Sequence, residues 1–200
     1  MRRSKLIAVV VIAALFVISA GYAYAEEFVA RLDGFQEIGA LGAGQTGAIR
    51  SNGTGTLLLN IDESAKTATF TLSYSDVGTT PPGTGAVTQA HIHFGTRHVA
   101  GGIFVFFCSN LPNPPTGTPA CPANSGTVSG TFTAASVIGP TAQNVSPGDF
   151  DAFVAAVKAN AAYANVHTAA FPSGEIRGQI KRDNAGDHGN QQPPGGHNGH

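Results

Sequence analysis

From residue 28 to residue 181 apolar and polar side chains alternate with a period of two in one short stretch after another, the pattern of strands with one buried face. It is clearest in Lys66 to Ser75, where Ala68, Phe70, Leu72 and Tyr74 oppose Thr67, Thr69, Thr71 and Ser73. Phe28, Ala30 and Leu32 mark a strand before it, Thr54 to Ile61 another, and Val87 to Phe94 one after it. Ile103 to Phe107 is solidly apolar and predicts a strand covered on both faces. Thr127 to Thr133, with Val128 and Phe132 inward, Ala162 to Thr168, and Glu175 to Lys181 complete the set. In the last of these Ile176, Gly178 and Ile180 share one face, so Glu175, Arg177, Gln179 and Lys181 are expected on a solvated one. Glycine and proline crowd residues 78–85 and 111–124, which predict two long loops.

One stretch changes period. Phe150, Phe153, Val154 and Val157 form a helical stripe, expected to pack against the sheet. Ser146 suits the N-cap, Pro147 the first helical position, and Asp149 the capping-box spacing, while Asn160 can stop the helix.

The ends differ in kind from the middle. Arg2, Arg3 and Lys5 precede an apolar run from Leu6 to Ala20, followed by Ala23-Tyr24-Ala25 and two glutamates, which reads as a cleavable secretory signal over 1–25. An uncleaved anchor is the alternative, since the run approaches the roughly 20 apolar residues of a spanning helix. Residues 183–200 hold no large apolar side chain and are expected to be a disordered, solubilising tail. Its His188, His197 and His200 are spaced too loosely for a preformed metal site. One domain over 26–182 remains. Cleavage removes three of the 11 basic residues and none of the 12 acidic ones, leaving a net charge of −4. That balance points away from nucleic acid and, once the signal is gone, from membranes as partners. An extracellular protein or a metal ion is the partner expected instead.

Cys108 and Cys121 are the two cysteines, and twelve residues rich in proline separate them. In an exported chain they are expected to pair and staple that loop, worth roughly 3 kcal/mol. The chemistry otherwise rests on histidine. His91 and His93 share one face of their strand, opposite Ala90, Ile92 and Phe94, and His167 shares a face with Tyr163 and Asn165. All three are expected to point outward from the core. If their strands are neighbours, three imidazoles can hold copper or zinc, with His98 as a fourth candidate. The competing reading has them hydrogen-bond loop carbonyls, Asn165 or Glu175. Arg177 is expected to pair with Glu175 or a loop carboxylate, or to face an anion. Asn52 and Asn144 begin glycosylation-type triplets. No phosphate loop, Ser-His-Asp spacing or paired-carboxylate arrangement stands out.

The segments Tyr163-Ala164-Asn165-Val166-His167-Thr168 and Phe171-Pro172-Ser173-Gly174-Glu175-Ile176-Arg177-Gly178-Gln179-Ile180 resemble the signature of the CHRD domain, named for chordin. Leu32 to Glu37, Ala90 to His93 with Gly95, and Gly126 to Phe132 continue the resemblance in the family's order. It implies an all-β, antiparallel, immunoglobulin-like or superoxide-dismutase-like β-sandwich with one short helix, secreted and without established catalysis. Copper-zinc superoxide dismutases are similar in using a His-x-His strand, a later Val-His pair and a glycine-bounded arginine, the places here of His91, His93, His167 and Arg177. The chain departs from them in lacking a bridging histidine with its zinc-loop aspartate, and in its local cysteine pair. The expectation is a binding or structural module holding a metal. A copper-dependent redox enzyme and a purely structural or adhesive domain are the alternatives.

Overall fold

The computed structural model describes residues 25–38, 40–41 and 45–183; all but the last residue of the expected signal and all but the first of the expected tail lie outside them. The strands are β1 (Glu26–Asp33), β2 (Ala40–Leu41), β3 (Gln45–Thr46), β4 (Thr54–Asp62), β5 (Thr67–Ser75), β6 (Val87–Phe94), β7 (Ile103–Ser109), β8 (Gly126–Phe132), β9 (Ala162–Thr168), β10 (Ile176–Gln179) and β11 (Lys181–Arg182), with one helix among the described residues, α1 (Phe150–Lys158). β2 and β3 pair with each other; the rest form one antiparallel sheet in the order β7-β6-β9-β10-β1-β4-β5-β8, with β11 beside β1. The all-β expectation holds, and the strands read from alternation appear within a residue or two of their expected limits.

The sheet bends on itself as a sandwich closing toward a barrel. Its two halves join where β1 meets β10 through the register pair Asp33–Arg177. Inward side chains from both halves make one core: Phe70 of β5 meets Phe107 of β7 edge-on at 5.0 Å and stacks on Phe132 of β8 at 4.4 Å. β7 and β8 are the two sheet edges, and α1 covers the gap between them. Phe153 of α1 is fully buried against Phe104 of β7 and Phe132 of β8. The helical stripe is therefore core, as its periodicity predicts. Cys108 and Cys121 form a disulfide that closes the loop after β7.

The helix begins later than its sequence suggests. Asp149, not Ser146, is the N-cap, its carboxylate accepting from the Ala152 amide. Gly148, at φ 87°, breaks the backbone between the two candidates. At the other end Asn160 takes a left-handed φ of 55°, and the Ala161 amide bonds back to the Ala156 carbonyl, closing the helix as expected. Asp149→Ala is expected to cost about 1 kcal/mol of unfolding free energy, and the exposed Ser146→Ala close to nothing, by chemical denaturation.

Candidate metal centre

β6, β9 and β10 are adjacent, and their outward faces make one continuous polar surface. In register, His91 lies opposite Asn165, His93 opposite Tyr163, and Gln89 opposite His167. His91 and His167 are thus diagonal neighbours across the pair, close enough for two rings to meet. On the far side of β9, Arg177 lies opposite Asn165 and Gln179 opposite Tyr163. β7 slips register against β6 on each side of the His91–Ile92 step, which sets His91 against Phe106.

This face is not solvated, which corrects the sequence expectation. His91, His93 and His167 are 0%, 8% and 4% exposed, and Asn165, Glu175, Arg177 and Gln179 are buried with them. Of the expected polar row, Lys181 alone is exposed. The imidazoles do point away from the barrel core, but two adjoining loops and one remote segment fold over them. The loop after β6 reaches His93, whose Nδ1 donates to the Gly101 carbonyl at 2.9 Å. The turn after β9 reaches His167, whose Nδ1 donates to the Pro172 carbonyl at 3.0 Å. The segment after β1 brings Glu37, whose carboxylate accepts from the Asn165 side-chain amide at 2.6 Å.

With Nδ1 committed on His93 and His167, each ring keeps Nε2 as an acceptor, met on His167 by the Nδ1 N–H of His91 and on His93 by nothing. His167 Nε2 lies 3.1 Å from His91 Nδ1. His93 Nε2 and His91 Nε2 are buried without a hydrogen-bond partner. One ligand nitrogen from each ring lies within 4.8 Å of the others. The exposed His98 is not part of the cluster. Burial is the main cause that pushes all three imidazoles far below an ordinary histidine, His91 to about 2, His93 to about 4 and His167 to about 3. The neighbouring imidazoles lower His91 further, as does His93 for His167 and Arg177 for His93, while the carbonyl bonds from Gly101 and Pro172 act the other way. At neutral pH these are uncharged ligands that need lose no proton to a metal.

The charged neighbours have other partners than expected. Glu175 does not meet Arg177. Its carboxylate accepts from Ser51 Oγ (2.7 Å), the Gly78 amide (3.0 Å), Thr84 Oγ1 (2.5 Å) and Thr168 Oγ1 (2.8 Å). Although burial alone would raise its pKa, these bonds hold it below the usual carboxylate value. Glu175 is a clamp that draws the 78–85 loop and the β9–β10 turn together. Arg177 lies flat on the Tyr163 ring at 3.4 Å and donates to the carbonyls of Thr96 and Val99. The opposite face of Tyr163 stacks on His93, with ring centroids 4.9 Å apart.

Glu37, Tyr163 and Gln179 were missed as site groups, whereas the carbonyls of Gly101 and Pro172 are the loop partners that the competing reading of the imidazoles expects. The profile of the CHRD domain family matches residues 28–180. The chain belongs to the CHRD domain family. Comparisons with curated proteins and with solved structures found no match. Three of the family motifs read from the sequence meet at this one face: Glu37 ends the first, His91 and His93 form the second, and His167, Asn165 and Arg177 belong to the last, while Gly126–Phe132 forms β8 at the far edge of the sheet. Gly174 of that last motif shows how tight the meeting is. Its φ is 125°, and a Cβ there would fall 2.3 Å from Glu37 Oε2 and 2.4 Å from the Asn165 amide nitrogen.

Because each imidazole stays neutral in the folded CHRD domain but protonates near pH 6.5 when unfolded, acid favours the unfolded chain. Stability of the metal-free protein is expected to fall below pH 6.5 with a slope approaching about 1.4 kcal/mol per pH unit for each imidazole, or roughly 4 for three. Denaturation curves between pH 7 and 5, above the carboxylate range, check this; a flat profile contradicts it.

Proposed function

We propose that this CHRD domain is an exported, non-enzymatic binding module that holds one transition-metal ion, copper or zinc, through His91, His93 and His167. The observation that carries the reading is the buried, partnerless His93 Nε2, in a ring whose other nitrogen is fixed by a carbonyl. An uncharged acceptor sealed from water costs about 1–3 kcal/mol unless something meets it. A metal roughly 2.0 Å from each nitrogen would meet it together with the facing nitrogens of His91 and His167. The Gly101 and Pro172 carbonyls supply the outer support that metal-bound histidines ordinarily have. Three nitrogen donors without thiolate suit copper and zinc, copper binding more tightly at such sites. The bound ion would join β6 to β9 at the end of the sheet where three loops meet.

The burial of all three rings keeps bulk solvent from the centre, which favours a held ion over a copper-dependent redox enzyme on the same residues. Export is supported by the 1–25 signal pattern and by a disulfide that needs an oxidising compartment. No helix among the described residues is long and apolar enough to cross a membrane.

The purified 26–182 protein, loaded with copper or zinc and dialysed, is expected to retain one equivalent by elemental analysis and to melt at higher temperature. His93→Gln and His167→Gln, checked for folding by circular dichroism, should each lose at least nine-tenths of the bound metal. Retention of no metal by the folded parent, or equal retention by the variants, contradicts the reading.

A further inference from the structure

Beside the histidines, on the other side of Tyr163, lies a separate cavity of about 200 Å³ lined by Phe35, Gln36, Arg97, His98, Arg177 and Gln179. Among the described residues none that lines it is acidic, although the whole chain carries a net charge of −1. Two of its side chains are buried with one polar atom each unmet: the donor Nη1 of Arg177 and the acceptor Oε1 of Gln179.

Neither atom is free to turn away. Arg177 is held by its Nη2 bonds to Thr96 and Val99 and by the Tyr163 ring. The Gln179 amide nitrogen is committed to the carbonyls of Gly95, Asn160 and Ala162, which fixes the opposite orientation of its oxygen. A ligand for this cavity therefore needs an anionic acceptor for the arginine and, close by, an N–H for the glutamine. Its rim is apolar on one side, where Phe35 is 73% exposed. The volume is below the roughly 300 Å³ at which small-molecule pockets begin, so one residue-sized group fills it.

We infer that the cavity receives the C-terminal residue of a partner polypeptide. The terminal carboxylate is the acceptor for Arg177 and Arg97, the amide N–H on the adjacent carbon is the donor for Gln179, and the last side chain lies against Phe35. A free N-acyl amino acid carries the same groups, and the remainder of a longer chain lies over Val99, exposed on the loop that bears Arg97 and His98. The inference goes beyond the metal reading and needs no ion at the histidines.

N-acetylleucine, N-acetylleucinamide and an acetylated tetrapeptide ending in a leucine carboxylate are titrated into the metal-free 26–182 protein at constant ionic strength. The backbone amide resonances of Arg97 and Gln179 report binding. Both acids are expected to bind saturably and the neutral amide at least tenfold more weakly, with the tetrapeptide at least fivefold tighter than N-acetylleucine. Arg97→Gln, an exposed position, should weaken both acids at least fivefold. Absence of saturation, equal binding of the amide, or an unaffected Arg97→Gln overturns the site. Equal affinity of the two acids overturns the polypeptide partner. The same titration on zinc-loaded protein separates the two readings: carboxylate binding without metal retention leaves this site standing and removes the other.

Discussion

A polar sheet face sealed from water is the constraint on which this end of the molecule depends. His91, His93, Asn165, His167, Arg177 and Gln179 would all be satisfied by solvent if their strands were left open. Covering them removes that solvent, so each donor and acceptor must find a protein partner at a cost of about 1–3 kcal/mol for any that does not. The partners come from loops. Gly101, Pro172, Thr96 and Val99 supply carbonyls, and Glu37 supplies a carboxylate. The turn that carries Pro172 is itself tied down by Glu175, whose four hydrogen bonds reach Ser51, the 78–85 loop and Thr168. Fold stability and site geometry at this end are one problem, because the groups that close the cover also orient the rings.

The satisfaction is incomplete in a patterned way. The unmatched side-chain atoms among the described residues are His91 Nε2, His93 Nε2, Arg177 Nη1 and Gln179 Oε1. All four belong to the covered face, and they fall on the two sides of Tyr163. On one side the unmet atoms are bare imidazole nitrogens, which suit a metal. On the other they are a cationic donor and a neutral acceptor, which suit a carboxylate with its neighbouring N–H. Tyr163, stacked between His93 and Arg177, keeps cation and imidazoles apart.

The strands were legible because alternation encodes which side chains meet the core, and β6 and β9 run over the expected residues Val87–Phe94 and Ala162–Thr168. The same alternation identified His91, His93 and His167 as sharing a face away from the core. Alternation records only which face is apolar, however. That the polar face is covered depends on nearby loops, such as the carbonyls 8 and 5 residues from His93 and His167, folding back over it, and on one remote segment, since the bond from Asn165 to Glu37 spans 128 residues. For the same reason Arg177 reads as a partner of Glu175 or a loop carboxylate, whereas its hydrogen bonds go to carbonyls some 80 residues away. Glu37 had been visible as the end of a motif without a role. Only the apposition of its motif to the last one, through Gly174, supplies it.

The central claim is that two backbone carbonyls fix the tautomers of His93 and His167 and so leave both Nε2 atoms as acceptors within one cluster, that of His93 unmet and that of His167 facing His91. Imidazole nitrogen NMR of the metal-free protein at pH 6 tests this most directly. The account predicts neutral rings protonated on Nδ1 for both residues, with the Nε2 resonances shifting when one equivalent of zinc is added. Rings protonated on Nε2, or charged imidazolium at that pH, would contradict it.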